Sequence, residues 1–195
     1  MMALMIMKYF PTDQTAADLP AIDALLDVTF GIARRTKTSY RLREGSAPQA
    51  GLSLVVREEA LGLVGALSFW PLAIGAVQTP ALLLGPLAVH PQRQNLGIGR
   101  ALMNEGMRRA TAHGHGLMIL IGDAPYYARV GFQAVPQGQI EVPGPVDARR
   151  LLALELVPGT LAKARGLALP TWRWAEITAP RATTSGWPRR AAVPG

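Results

Sequence analysis

Leu82-Leu83-Leu84-Gly85-Pro86-Leu87-Ala88-Val89-His90-Pro91-Gln92-Arg93-Gln94-Asn95-Leu96-Gly97-Ile98-Gly99-Arg100-Ala101-Leu102 is the stretch whose reading decides the fold. Its first part, within a strand expected over residues 81–90, is almost continuously apolar, as in a strand buried on both faces. Gly85-Pro86 interrupts it. Proline has no N–H to give to a ladder, and a strand glycine marks a bulge or a close backbone approach. The main-chain groups of Leu87, Ala88 and Val89 are therefore expected to be free for another partner, although a plain bend beside a sheet edge would read the same way. The second part is a turn, Gln94-Asn95-Leu96-Gly97-Ile98-Gly99-Arg100, that opens directly into a helix expected over 97–113. A helix start offers unpaired N–H groups and the positive end of the dipole, and glycines let a phosphate approach the backbone. A diphosphate is the natural guest of such a turn, while a Gly-x-Gly by itself also serves an ordinary strand-to-helix connection.

Working outward, the helix shows an apolar face of Ile98, Leu102, Met103, Met107 and Ala110, with Arg100, Asn104, Glu105, Arg108 and Arg109 on the other side. Gly114 and Gly116 end it, and a strand is expected over 117–121. Asp123 is placed to cap a short helix that Gly131 stops, with Pro125 tolerated in its first turn. Upstream, 4–9 reads as a strand. Leu19, Ile22, Leu25, Leu26 and Phe30 recur at helical spacing within 16–33. The runs 52–56 and 61–69, joined by Arg57-Glu58-Glu59-Ala60, read as an antiparallel hairpin. Downstream, strands are expected over 151–157 and 171–177. The order of elements predicts a mixed α/β sheet in one domain spanning 1–179, followed by a basic, mobile tail over 180–195.

The chain of 195 residues is 49% hydrophobic, enough for a substantial core. It has no cysteine, which excludes disulfides, thiolate metal sites and a cysteine nucleophile. No apolar run is long enough to span a bilayer, and the apolar start carries no basic residues ahead of it and no small-residue cleavage site. The expected location is cytoplasmic. The net charge of +7 invites a nucleic-acid partner. The basic residues are interleaved with acids, however, and three acid-free arginines, Arg181, Arg189 and Arg190, are confined to the tail. Nucleic-acid and membrane partners are not expected, and a homodimer stays open.

The turn and the chain just downstream of it resemble a known family. Gln94-x-x-Gly97-x-Gly99 is similar to the Gln/Arg-x-x-Gly-x-Gly/Ala motif of the GCN5-related N-acetyltransferases (GNAT), and Leu87-Ala88-Val89-His90-Pro91 looks like the strand that precedes it there. Tyr126-Tyr127-Ala128-Arg129-Val130-Gly131-Phe132 resembles the family's aromatic-Tyr-x-Lys/Arg-x-Gly-Phe segment. The resemblance covers 81–132 and suggests a subgroup of mostly uncharacterised bacterial members. It implies a GNAT-like acyl-CoA N-acyltransferase fold, a central, mostly antiparallel twisted sheet flanked by helices. It further implies acetyl-CoA as cofactor, held by the main chain of Leu87, Ala88 and Val89 and by Gln94, Asn95, Leu96, Gly97, Ile98, Gly99 and Arg100. The acceptor would be a small-molecule or peptide amine that attacks directly. A backbone N–H near Val89 would carry the oxyanion, and Tyr127 would protonate the leaving thiolate, with Tyr126 the second choice.

The strand before the turn lacks the carboxylate some members use as base. Glu58, Glu59 and Asp123 are the nearest acids, and His90 reads as a loop residue. Arg93 and Arg100 flank the turn and could meet a phosphate or water equally. His113-x-His115 bracket a helix-ending glycine with no third ligand, so no metal site is expected. By the family's layout, Phe69, Trp70 and the segment 34–43 fall where the acceptor pocket is built. Two other functions fit less well. A degenerate domain would bind acetyl-CoA or a partner without catalysis. A nicotinamide-dinucleotide site would need a small residue where Leu102 stands.

Overall fold

The structure, a computed structural model, describes residues 9–178. The strand expected over 4–9, apart from Tyr9, and the tail at 180–195 lie outside the described residues. The chain runs β1 (Thr12–Asp13), α1 (Leu19–Phe30), α2 (Thr38–Arg41), β2 (Leu54–Glu58), β3 (Gly62–Ile74), β4 (Thr79–Val89), α3 (Ile98–Ala112), β5 (Leu117–Ile121), α4 (Ala124–Ala128), β6 (Gln133–Ala134), β7 (Ile140–Glu141), β8 (Leu151–Glu155), α5 (Thr160–Lys163), β9 (Gly166–Pro170) and α6 (Thr171–Thr178). Short 3₁₀ turns lead into α1 and α2 and follow β4.

The strands form a mostly antiparallel sheet in the order β1-β2-β3-β4-β5-β8-β6. Within that order β4 and β5 are the parallel pair, because a helix rather than a turn connects them. β3 is the longest strand. Its first half pairs with β2 and its last three residues, Leu72 to Ile74, with β9, so one strand holds two neighbours along the same edge.

The period of two sets which helix each strand residue meets. Leu54, Val56, Leu67, Leu82 and Leu84 pack with Ile98, Leu102 and Met103 of α3. Val55, Ala66 and Ala88, pointing the other way, meet Ile22, Leu25 and Leu26 of α1. Leu83, Ala81, Leu117 and Ile119 build a third cluster with residues downstream of β6, among them Val135 and Ile140. β4 is thus buried on both faces, as its unbroken apolar run requires.

Small residues let α3 lie close to the sheet. A methyl group built on Gly65 of β3 would stand 2.6 Å from Ile98, and one on Gly106 of α3 would stand 2.5 Å from the fully buried ring of Phe69.

The segment 171–177 departs from expectation. It is the helix α6, not a strand, and the strand is β9 just before it. On the helix the two indoles diverge, and each donates to a different carbonyl, Trp172 Nε1 to Glu44 at 3.0 Å and Trp174 Nε1 to Ala73 at 2.8 Å. Tertiary hydrogen bonds override the local pattern here.

Replacing Gly106 with leucine tests the close approach of α3. The added side chain must push against Phe69, and the lower denaturant midpoint should correspond to about 1–3 kcal/mol, more than the gain of up to about 1 kcal/mol in helix propensity. An unchanged midpoint would show that α3 does not press on the sheet there.

Candidate active site

The site begins where β4 and β5 part. Their pairing is confined to Leu82–Met118 and Leu83–Ile119. Beyond it, Gly85 and Pro86 stand opposite the single residue Ser68 of β3, a bulge rather than the plain bend that the sequence left equally open. Gly85 has φ of 128°, open to glycine and costly for other residues, and its bond to Pro86 is cis. The bulge turns β4 away while β5 stays paired with β8 along its whole length. A fork opens between the two strands.

Alternation decides which main-chain groups face that fork. His90 N–H donates to Val64 O of β3 at 2.9 Å, and Ala88 is paired with Ala66 two residues earlier, so residues 88 and 90 turn their polar groups toward β3. Those of Leu87 and Val89 point the opposite way, into the fork, where no strand pairs with them among the described residues. The Gln94 amide reaches back to Val89 O at 3.4 Å. Of the three residues expected to present free main-chain groups, Leu87 and Val89 turn theirs away from β3, with Val89 O engaged by Gln94, and Ala88 spends its own on the β3 ladder.

At the far end of the fork lies the start of α3. Asn95 and Gly97 adopt left-handed conformations, φ 63° and 90°, and Gly97 stands at the cap position with no side chain closing the helix. Successive N–H groups in such a turn form a concave cationic surface, strengthened by the helix dipole. Nothing lies within 4 Å of a methyl group built on Gly97, so open space adjoins that position. Arg100, in the first helical turn, is exposed and has no carboxylate partner among the described residues. Arg93 is committed elsewhere, to Glu58 at 2.7 Å. His90 Nδ1 accepts from Gln92 N–H at 3.3 Å and serves the turn after β4.

The two tyrosines of α4 face different ways. Tyr127 packs its ring edge-on against Phe132, centroids 5.9 Å apart, and over Gly122, where any side chain would collide with it. Burial pushes its hydroxyl up to about 12, so it is fully protonated at neutral pH. The Tyr126 hydroxyl instead lies over the start of α3, 2.5 Å from where a methyl group on Gly99 would stand. Asp123 occupies the cap position of α4, but its side chain makes no capping bond. The carbonyl fills that role, accepting from the N–H groups of Tyr126 and Tyr127 at 3.1 and 3.2 Å. The expectation of a side-chain cap is thus corrected, and the carboxylate is left exposed beside the fork. Glu58 and Glu59 sit at the β2–β3 turn, away from the bulge.

A cavity of about 690 Å³ adjoins the bulge, bounded by residues 83–87, by 121–127, by 145–150 and by the loop before and through α2. Arg34 organises that loop. It is 2% exposed, and its guanidinium donates to Asp27 Oδ1 at 2.7 Å, to Asp23 Oδ1 at 2.5 Å and to the Tyr40 hydroxyl. Trp70 donates its indole N–H to Gly85 O at 2.6 Å and so pins the bulge from β3. Phe69, one residue earlier on β3, points to α3 and does not line the cavity. Sequence reasoning did not single out Arg150 or the turn at 145–147. No motif marks them, and only the return of the chain after β7 brings them to the site.

Comparison with known proteins accords with this geometry. Residues 50–134, which include the fork, the turn and both tyrosines, match a family model described as an acetyltransferase (GNAT) domain. The uncharacterised N-acetyltransferase YhbS of Escherichia coli K12 is 29% identical over 116 residues, 60% of this chain and 68% of that protein. The crystal structure of YhbS from E. coli in complex with CoA shares the fold, with a TM-score of 0.71 at 24% identity over 83% of this chain and 89% of that one. A GNAT family acetyltransferase from Brucella melitensis, in complex with acetyl-CoA, gives 0.59 at 25% identity over 77% and 89%.

Exchanging Arg34 for methionine should loosen the cavity wall. Hydrogen bonds to charged groups contribute about 1.5–3 kcal/mol each at most, and Asp23 and Asp27 can turn to water, so a total loss of about 2 kcal/mol is expected in denaturant unfolding. Arg34 also holds the Asp23 carboxyl below its ordinary value of 3.8. A carboxyl lowered in the folded state stabilises fully above its ordinary range and loses that contribution as pH falls through the lowered value. The difference in stability between wild type and variant should therefore narrow below about pH 4. A constant difference from pH 7 to pH 3 would contradict this role.

Proposed function

We propose that the chain, whose residues 50–134 match the acetyltransferase (GNAT) family model, is an N-acetyltransferase that takes its acetyl group from acetyl-CoA and passes it to an amine. The observation that carries this reading is the fork itself: outward-facing main-chain groups at Leu87 and Val89, next to an uncapped helix start with two left-handed residues.

The residues present fit that cofactor. Main-chain groups of Leu87 and Val89 would pair with the amides of its pantetheine arm, as an added strand pairs with a sheet edge. The N–H groups from Asn95 to Arg100 would hold its diphosphate, with Gln94 fastened to Val89 O and Arg100 free to add a guanidinium. Bound acetyl-CoA supplies an activated thioester, and everything else is positioning and proton management. A backbone N–H of the bulged strand near Val89 would donate to the carbonyl oxygen and offset the negative charge that develops there. Tyr127 is the proposed donor to the departing sulfur, since burial keeps its proton in place at neutral pH. Tyr126 is the competing donor, favoured by the position of its hydroxyl over Gly99. Asp123 is the one of the three candidate acids that lines the cavity, and it stands where a proton could leave the amine, directly or through water.

Calorimetry with acetyl-CoA, and with NADH as control, tests the cofactor. Micromolar binding of acetyl-CoA alone is expected, and absence of binding at millimolar concentration would overturn the proposal. Single Tyr127→Phe and Tyr126→Phe variants then separate the tyrosines. Loss of the proton donor should lower kcat by about 10²–10⁴-fold with little change in acetyl-CoA affinity, and the other variant should stay within a few-fold of wild type. Near-wild-type rates in both would remove tyrosine from the mechanism.

A further inference from the structure

The charges around the cavity do not balance. Six charged side chains line it: Arg34, Lys37, Arg43, Arg150, Asp123 and Asp147. Arg34 is answered by Asp23 and Asp27, and Asp147 is taken by Arg149 at 2.8 Å. Lys37, Arg43 and Arg150 remain, without a carboxylate in ion-pairing distance among the described residues, against the single unengaged carboxylate of Asp123.

Arg43 is the best placed of the three. Its guanidinium stacks on the Tyr40 ring, 3.6 Å from the centroid, and lies 5.5 Å from that of Trp70. The two aromatic faces fix the plane of the fork-shaped donor and shield it from water without neutralising it. Tyr40 is in turn fastened by Arg34, and Trp70 by Gly85 O at the bulge. A partly buried guanidinium without a carboxylate partner among the described residues therefore lines the cavity that adjoins the bulge. Burial lowers the Arg43 pKa from its ordinary value, against the opposing pull of the Tyr40 hydroxyl. Lys37 and Arg150 add positive charge at the exposed rim, Arg150 held by a bond of 3.3 Å to Gly122 O.

We propose that the acceptor is a small amine bearing an oxyanion group, a carboxylate or a phosphate, which Arg43 grips while the amine is presented to the bulge. This rests on the acetyltransferase reading above and names the substrate class of that same site. A planar guanidinium held on edge-fixing aromatics matches the geometry of both oxyanions. The modest cavity, part of which must admit the acetyl end of the cofactor, favours a small molecule over a folded protein surface.

The test is release of CoA by the full chain at saturating acetyl-CoA, with matched pairs of amines: 4-aminobutyrate against n-butylamine, β-alanine against its amide, and phosphoethanolamine against ethanolamine. In at least one pair the oxyanion member should lead in kcat/KM by about tenfold or more, as expected for one charge-assisted contact. Response in the first two pairs identifies a carboxylate and response in the third a phosphate. The preference should collapse in Arg43→Met and survive in part in Arg43→Lys, with acetyl-CoA affinity by calorimetry unchanged in both. Should Arg43→Met fail to fold, the wild-type preference and the Arg43→Lys variant decide. Neutral members equal to or better than their charged partners, a preference untouched in Arg43→Met, or turnover of peptides with none of these amines would overturn the proposal. Those results leave acetyl-CoA binding intact, whereas failure of wild type to bind acetyl-CoA would overturn the cofactor reading and this one with it.

Discussion

β4 and β5 touch through only the Leu82–Met118 and Leu83–Ile119 pairs before they separate, and the rest of the site depends on that early parting. Two opposed demands produce it. β5 is bound to β8 over all five of its residues and cannot follow β4. β4 must bend at Gly85-Pro86, where two residues face one and proline offers no N–H. A sheet ordinarily cannot leave an interior strand unpaired, because buried polar groups without partners cost free energy. Here the groups of Leu87 and Val89 are turned into an opening rather than into apolar core, so a ligand or water can satisfy them.

The fork divides the site into halves built by different means. The half proposed for the cofactor is made of backbone: strand polar groups, the left-handed residues at 95 and 97, and the first turn of α3. Backbone recognition tolerates sequence change, provided glycine remains where a positive φ or a close approach demands it. The half proposed for the acceptor is made of side chains. Trp70, Tyr40, Arg43 and Arg34 form a chain of contacts from the Gly85 carbonyl to the carboxylates of α1. Residues 34–43 and 145–150 fall outside the matched stretch 50–134. The stretch that matches the family model therefore carries the backbone half of the site, and the side chains at 34–43 and 145–150 that line the cavity lie outside it.

That division also explains what could be read from the sequence. The bulge, the glycine turn, the amphipathic α3 and the tyrosine segment are local features. Their meaning lies in residues a few positions apart, and they could be found before the strands were paired. The mostly antiparallel sheet was expected through the family resemblance that they carry. The orientation of Ala88 was fixed by its pairing partner on β3, which sequence does not display, and so one of three expected main-chain contacts belongs to the ladder. Asp123 was legible as a helix start but not as an exposed carboxylate, since carbonyl and side chain can each fill the capping role. α6 was misjudged because its two tryptophans answer distant carbonyls at Glu44 and Ala73. The cation cluster was invisible for the same reason: Lys37, Arg43 and Arg150 meet only through the return of the chain after β7.

The sign of that cluster bears on the absence of a strong base in the strand before the turn. A free amine carries a proton at neutral pH and must lose it to attack. Neighbouring positive charge disfavours the ammonium form and lowers its pKa. A cavity with Lys37, Arg43 and Arg150 against one carboxylate would therefore deprotonate its guest by its field, once an oxyanion on the same molecule has supplied the attraction that brings it in. The proton then needs only a weak acceptor, water or the exposed Asp123, rather than a buried glutamate poised near neutrality. The anion grip and the lack of a strand carboxylate are in this view two consequences of one charge arrangement.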